Sequence, residues 1–117
     1  MESRRKWWRW QRGRQQGGYD KLLLATLRWP VPWDCYLLRF PEGSVIPPHQ
    51  DKVVTGRHFR LNIVLRKAKR GGEFVCSQTL FSTSRIKLFR PDKVIHEVSR
   101  VEQGSRYLLG IGWVLKQ

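Results

Sequence analysis

Apolar and polar residues alternate along most of this chain. In HFRLNIVLRK (58–67), Phe59, Leu61, Ile63 and Leu65 share one face, and Arg60, Asn62, Val64 and Arg66 the other. That two-residue period is the signature of a strand with unlike faces. SRIKLFR (84–90) alternates through Ile86, Leu88 and Arg90, and KVIHEVSRV (93–101) through Val94, His96 and Val98. DCYLLRF (34–40), SVI (44–46), EFVCS (73–77) and SRYLLGIGWVL (105–115) read as further strands. Pro41, Gly43, Pro47-Pro48, Gly71-Gly72 and Gln103-Gly104 punctuate them. Seven or eight short strands at close intervals predict a mainly β sandwich or barrel. One segment differs. In YDKLLLATLRW (19–29), Tyr19, Leu23 and Leu27 recur at a spacing of four. This predicts one short helix, with Asp20 at its N-terminus and Pro30 and Pro32 ending it.

A chain of 117 residues is one domain, large enough for a core without disulfides. Lys and Arg total 23 against 9 Asp and Glu, a formal charge of +14. That excludes an anionic scaffold and predicts attraction to polyanions or anionic substrates. The charge is uneven. Residues 1–16 hold Arg4, Arg5, Lys6, Arg9, Arg12 and Arg14 against Glu2, with Trp7, Trp8 and Trp10 among them, before Gly17-Gly18. Residues 1–18 therefore read as a basic arm, and 19–117 as a single domain. Indole faces and guanidinium groups at 4–14 suit nucleic acid; a solvated terminus, or tryptophans packed on the domain, are the plainer alternatives. The stretch from Lys52 to Arg70 contains no acid at all. Cys35 and Cys76 form no CxxC and are expected to be small buried apolar residues in a reducing cytosol. No apolar run is long enough to span a membrane, and the basic N-terminus lacks the apolar core of a secretory signal. The expected location is cytoplasmic.

The chemistry concentrates at His49, Asp51 and His96. In an extended segment His49 and Asp51 point to one side, offering an imidazole and a carboxylate together. His96, mid-strand in its own alternating run, supplies a second imidazole. Two histidines and one carboxylate leave metal positions open, which suits Fe(II) oxygen chemistry. Zinc takes four protein ligands, or three in a catalytic site. Arg106 lies ten residues after His96, just past a glycine turn. An inward arginine on a strand is costly without an anion, and its planar fork suits a carboxylate. If Arg106 points inward, so do Leu108, Gly110 and Gly112, leaving space above the glycines. His58 is the internal control: it has no acid two residues away, and is expected to face solvent or substrate without ligating. Arg60 and Asn62 lie opposite the apolar side of their strand; a solvated sheet face is the expectation, with one of them lining the pocket as the other reading.

The string HQD, a gap of about 45 residues, and then HEVSRVEQGSRYLLGIGW resembles the iron(II)- and 2-oxoglutarate-dependent dioxygenases. RLNIVL followed by Gly71-Gly72-Glu73-Phe74 is similar to the same family, and the match covers residues 34–115. The resemblance implies a double-stranded β-helix, or jelly roll. It implies that His49, Asp51 and His96 ligate iron and that Arg106 binds the distal carboxylate of 2-oxoglutarate. It places Tyr36 where related hydroxylases have a tyrosine that hydrogen-bonds the cosubstrate; an ordinary packed strand tyrosine is the other reading. It implies hydroxylation of an unactivated C–H by O₂, release of succinate and CO₂, and stimulation by ascorbate. The spacing of ten between His96 and Arg106 resembles the prolyl and lysyl hydroxylase branch, hence an amino-acid, peptide or protein substrate. The charge and the arm point instead to nucleic acid or a nucleoprotein, so a nucleic-acid-modifying dioxygenase is the alternative. A non-enzymatic basic β-barrel that binds nucleic acid, and a cupin with another metal, are further readings; the second wants an HxH run with a nearby Glu, which is absent. The expected assembly is a monomer, or a homodimer covering one sheet face.

Overall fold

The computed structural model describes residues 11–12, 18–28, 30–51 and 56–116. The arm expected over 1–18 falls mostly outside them, as do Trp7, Trp8 and Trp10. The strands are β1 (Gln11–Arg12), β2 (Asp20–Leu27), β3 (Trp33–Phe40), β4 (Ile46–His49), β5 (Arg57–Arg66) and β6 (Arg70–Gly71). They continue as β7 (Phe74–Cys76), β8 (Phe81–Ser82), β9 (Ile86–Phe89), β10 (His96–Val98), β11 (Val101–Gln103) and β12 (Arg106–Leu115). A seven-stranded sheet has the order β1-β2-β3-β12-β5-β9-β8. A three-stranded sheet, β4-β10-β7, and the pair β11-β6 complete the fold, and every pairing is antiparallel. The long alternating runs became β5 and β12, which lie side by side at the centre of the large sheet.

The helix expected over 19–29 is instead strand β2. Its pairing with β3 carries a bulge between Leu23 and Ala25. Leu24 is the extra residue, so the two-residue period slips there, and Leu23 and Leu27 come to mimic a helical spacing. Pairing decides the outcome, because it covers an edge of β3 that would otherwise be open, while an isolated helix this short is marginal. An ion pair from Arg39 Nη2 to Asp20 Oδ2 at 3.0 Å fastens the start of β2 to β3.

The core lies between the layers. Phe40 and Leu108 from the large sheet meet Val98 and Val101 from the smaller ones, with Tyr19 stacked on Phe40 at 4.9 Å. The Gly71-Gly72 turn is required by close approach. Gly71 has φ +76°, and a Cβ there would collide with the Arg100 carbonyl oxygen across the β6–β11 pairing. No helix among the described residues is long and apolar enough to cross a membrane.

Candidate metal centre and anion pocket

His49 and His96 face each other across the β4–β10 register. Directly opposed residues of an antiparallel pair project to one side, so the two rings meet, their centroids 4.2 Å apart. β4 is an edge strand, which is what lets it carry Pro47 and Pro48. Asp51 lies just past β4 and is pinned to the turn at 91–94. Its backbone N–H donates to Pro91 O at 2.7 Å, and Gln50 Nε2 donates to Asp92 O at 2.7 Å. That turn is itself held by Arg90 Nη2 on Asp92 Oδ2 at 2.6 Å. Burial alone would raise the Asp92 carboxyl, but Arg90 and the His58 backbone N–H outweigh it and hold it below the usual range.

The two imidazoles are oriented alike. His49 Nδ1 lies 2.9 Å from Pro47 O, and His96 Nδ1 lies 3.1 Å from Val94 O. A carbonyl only accepts, so each Nδ1 carries the hydrogen and each Nε2 is turned to Asp51. Those Nε2 atoms stand 3.5 Å from the carboxylate, one on each oxygen. The ligand atoms of the three residues lie within 4.8 Å of one another. Neighbouring ligand atoms on an ion with bonds of about 2.1 Å are about 3 Å apart, so the group fits one metal ion with little adjustment. Burial would raise the Asp51 carboxyl, but His96, His49 and Arg60 beside it outweigh that and lower it, keeping it anionic as a metal ligand must be.

The group opens into a cavity of about 460 Å³ that also contains Tyr36, Asn62 and Arg106. Arg106 is 4% exposed. Its guanidinium carbon sits 5.2 Å from the Phe40 ring centroid, and its Nη1 is buried with no hydrogen-bond partner among the described residues. Burial pushes its pKa down to about 10. Arg106, Leu108, Gly110 and Gly112 all face inward, as expected. The space above the glycines, however, is filled. A Cβ on Gly112 would lie 2.5 Å from Arg60 Nη2, and one on Gly110 3.2 Å from Arg60 Nη1.

Arg60 and Asn62 therefore do not lie on a solvated face. With His58 they form the cavity wall, while the apolar Phe59, Leu61 and Ile63 point the other way. Phe59 stacks there on Trp113 at 5.7 Å. In the sheet Asn62 pairs with Gly110 and Arg60 with Gly112, and cross-strand partners share a face. His58 stays outside the His49–Asp51–His96 group. Its Nδ1 is buried without a hydrogen-bond partner among the described residues, and burial together with Arg60 lowers its pKa. Tyr36 does reach the cavity, under Lys21 Nζ at 5.0 Å from its ring centroid. Both cysteines are free and only half-buried; burial, then Asp34, raises the Cys35 thiol.

No protein-family model matches the chain, and no curated protein matches it in sequence. Solved structures do match. The cupin domain of Schizosaccharomyces pombe Cnp3 aligns over 91% of this chain and 68% of its own, with TM-score 0.64 and 12% identity. A Pseudomonas putida prolyl-4-hydroxylase aligns over 86% and 72%, with TM-score 0.63 and 14% identity. KdgF from Halomonas sp. aligns over 92% and 89%, with TM-score 0.58 and 18% identity. The likeness establishes a cupin-type jelly-roll fold. Within that fold, this chain brings together a His–Asp–His group able to hold a metal ion.

Proposed function

We propose that the chain is an Fe(II)- and 2-oxoglutarate-dependent oxygenase that hydroxylates an unactivated C–H of an amino-acid, peptide or protein substrate. One observation carries this reading. The His–Asp–His group shares its cavity with an arginine that is buried and has a nitrogen without a partner among the described residues. A metal site alone has no use for such a cation, which is a standing cost until an anion arrives. A cosubstrate with a carboxylate at each end gives both features a purpose.

In this reading His49, Asp51 and His96 hold the iron, and the Pro47 and Val94 carbonyls keep the rings aimed. Arg106 grips the distal carboxylate of 2-oxoglutarate, and Tyr36 hydrogen-bonds the cosubstrate. Phe89 and Phe74, with ring centroids 5.1 and 6.3 Å from that of His96, keep water from that side of the centre. Iron, when bound, supplies the O₂ chemistry of the balanced reaction R–H + 2-oxoglutarate + O₂ → R–OH + succinate + CO₂. No side chain is required as a strong base.

The test is succinate formation from 2-oxoglutarate with Fe(II) and ascorbate, in air and anaerobically, for wild type and Arg106→Ala. Succinate that needs O₂ and is lost in the variant supports the reading. Absence of succinate, together with no thermal stabilisation by metal plus 2-oxoglutarate, overturns it.

A further inference from the structure

Arg106 accounts for one anion in the cavity, but the cavity holds a second arginine. Resting on the function just proposed, we propose that Arg60 is the anchor for the α-carboxylate of the molecule that is hydroxylated. The substrate class is then an α-amino acid, free or at the C-terminus of a peptide.

The inward stripe of β5 is His58, Arg60 and Asn62, three polar side chains on the wall that faces His49, Asp51 and His96. Arg60 does not reach outward to water. It lies across β12, over Gly110 and Gly112, and only residues without side chains leave it that berth. Its ion-pair partner Asp34 is held loosely: Nη2 to Oδ1 is 3.4 Å, and the Asp34 side chain is 37% exposed. A contact at that distance gives way readily to a bidentate carboxylate at roughly 2.8 Å. Asp34 would then stand free beside the bound carboxylate, an anion suited to an α-ammonium group. The Asn62 Oδ1, buried without a partner among the described residues, is a further acceptor in the same wall. Arg60 and Arg106 are also spread along the cavity. Gly110 and Gly112, beneath Arg60, are four and six residues from Arg106 on the same strand, about 13–20 Å of backbone. A cavity of about 460 Å³ is of small-molecule size, not a groove for a folded partner.

The experiment is isothermal titration of the full chain loaded with Mn(II), which needs no turnover. The probes are 2-oxoglutarate, the twenty L-amino acids, their carboxamides, and short peptides with free C-termini. The amino acids and peptides are titrated with and without 2-oxoglutarate present. At least one free carboxylate is expected to bind, with its carboxamide at least 30-fold weaker. Arg60→Gln should weaken that carboxylate by at least 30-fold while 2-oxoglutarate changes less than threefold, and Arg60→Lys should fall between. Binding of peptides but not free amino acids would assign the carboxylate to a C-terminus. The proposal is overturned if no amino-acid or peptide carboxylate binds, if carboxamides bind equally, or if Arg60→Gln weakens 2-oxoglutarate instead. Wild type that fails to bind 2-oxoglutarate would sink the oxygenase reading, and the titrations without cosubstrate still report on Arg60. Melting curves taken alongside identify a variant that fails to fold; the Lys variant, which keeps a cation, carries the test if the Gln variant does so.

Discussion

Replacing Arg106 by methionine should make the empty protein more stable and at the same time blind to 2-oxoglutarate. Burial moves the guanidinium pKa well down from its ordinary value, to about 10. At 1.36 kcal/mol per unit, that is a desolvation cost of roughly 3 kcal/mol. The sign is that of a base depressed in the folded state. At pH 7 both folded and unfolded chains hold the proton, so the whole cost is present; it shrinks only as pH rises past about 10. The contact with Phe40 returns about 1 kcal/mol. Methionine fills much of the same space without charge, so a net gain of about 2 kcal/mol is expected, or roughly 5–10 °C in Tm for a domain of this size. The assay is thermal melting with Mn(II), with and without 2-oxoglutarate at saturating concentration. Wild type should melt lower when empty and rise by several degrees with ligand, since ligand at 100 times Kd adds about 2.7 kcal/mol. Arg106→Met should melt higher and not respond. If the empty variant melts below wild type, the guanidinium is a structural group and not a waiting anion site. An unchanged response to 2-oxoglutarate would refute the assignment equally.

His96→Ala should lower metal affinity by at least about 100-fold, whereas His58→Ala should leave it within a few-fold, as followed by competition with a chelator. Equal losses would dissolve the ligand assignment. Gly71→Ala should cost roughly 2–4 kcal/mol by denaturant unfolding, because the new Cβ meets backbone at Arg100 that cannot step aside and φ is positive. A cost under about 0.5 kcal/mol would show that the β6–β11 turn relaxes freely. The half-buried imidazole of His58 has a folded pKa lowered below its ordinary value, so the unfolded chain takes up its proton first. Stability should therefore fall as pH drops below about 6.5 and keep falling until the folded pKa is passed. His58→Gln should flatten that part of the stability–pH curve, and an unchanged slope would remove His58 as its source.

Much of this protein was legible before any contact was known. Alternation at 58–67 and 105–115 stated two long strands, and parity alone put Arg106, Leu108, Gly110 and Gly112 on one face. The HxD spacing stated that His49 and Asp51 share a side. These are local facts, set by the geometry of an extended backbone. Three matters were not local. The bulge at Leu24 broke the period of β2, so a pairing with β3 looked like a helix. The polar face of β5 reads in the sequence as the wetter face, because apolar residues usually mark the interior. Here the interior is a polar cavity, and the apolar face of β5 is the outer one. Finally, His49 and His96 are 47 residues apart, and only the β4–β10 register makes their rings neighbours and turns both Nε2 atoms onto one carboxylate. The sequence by itself determined which way each candidate side chain points from its own strand. Which strands lie opposite one another, and so which of those side chains share a cavity, was decided by the folding of two sheets into facing layers, because distance between strands is a property of pairing and packing that no single segment encodes.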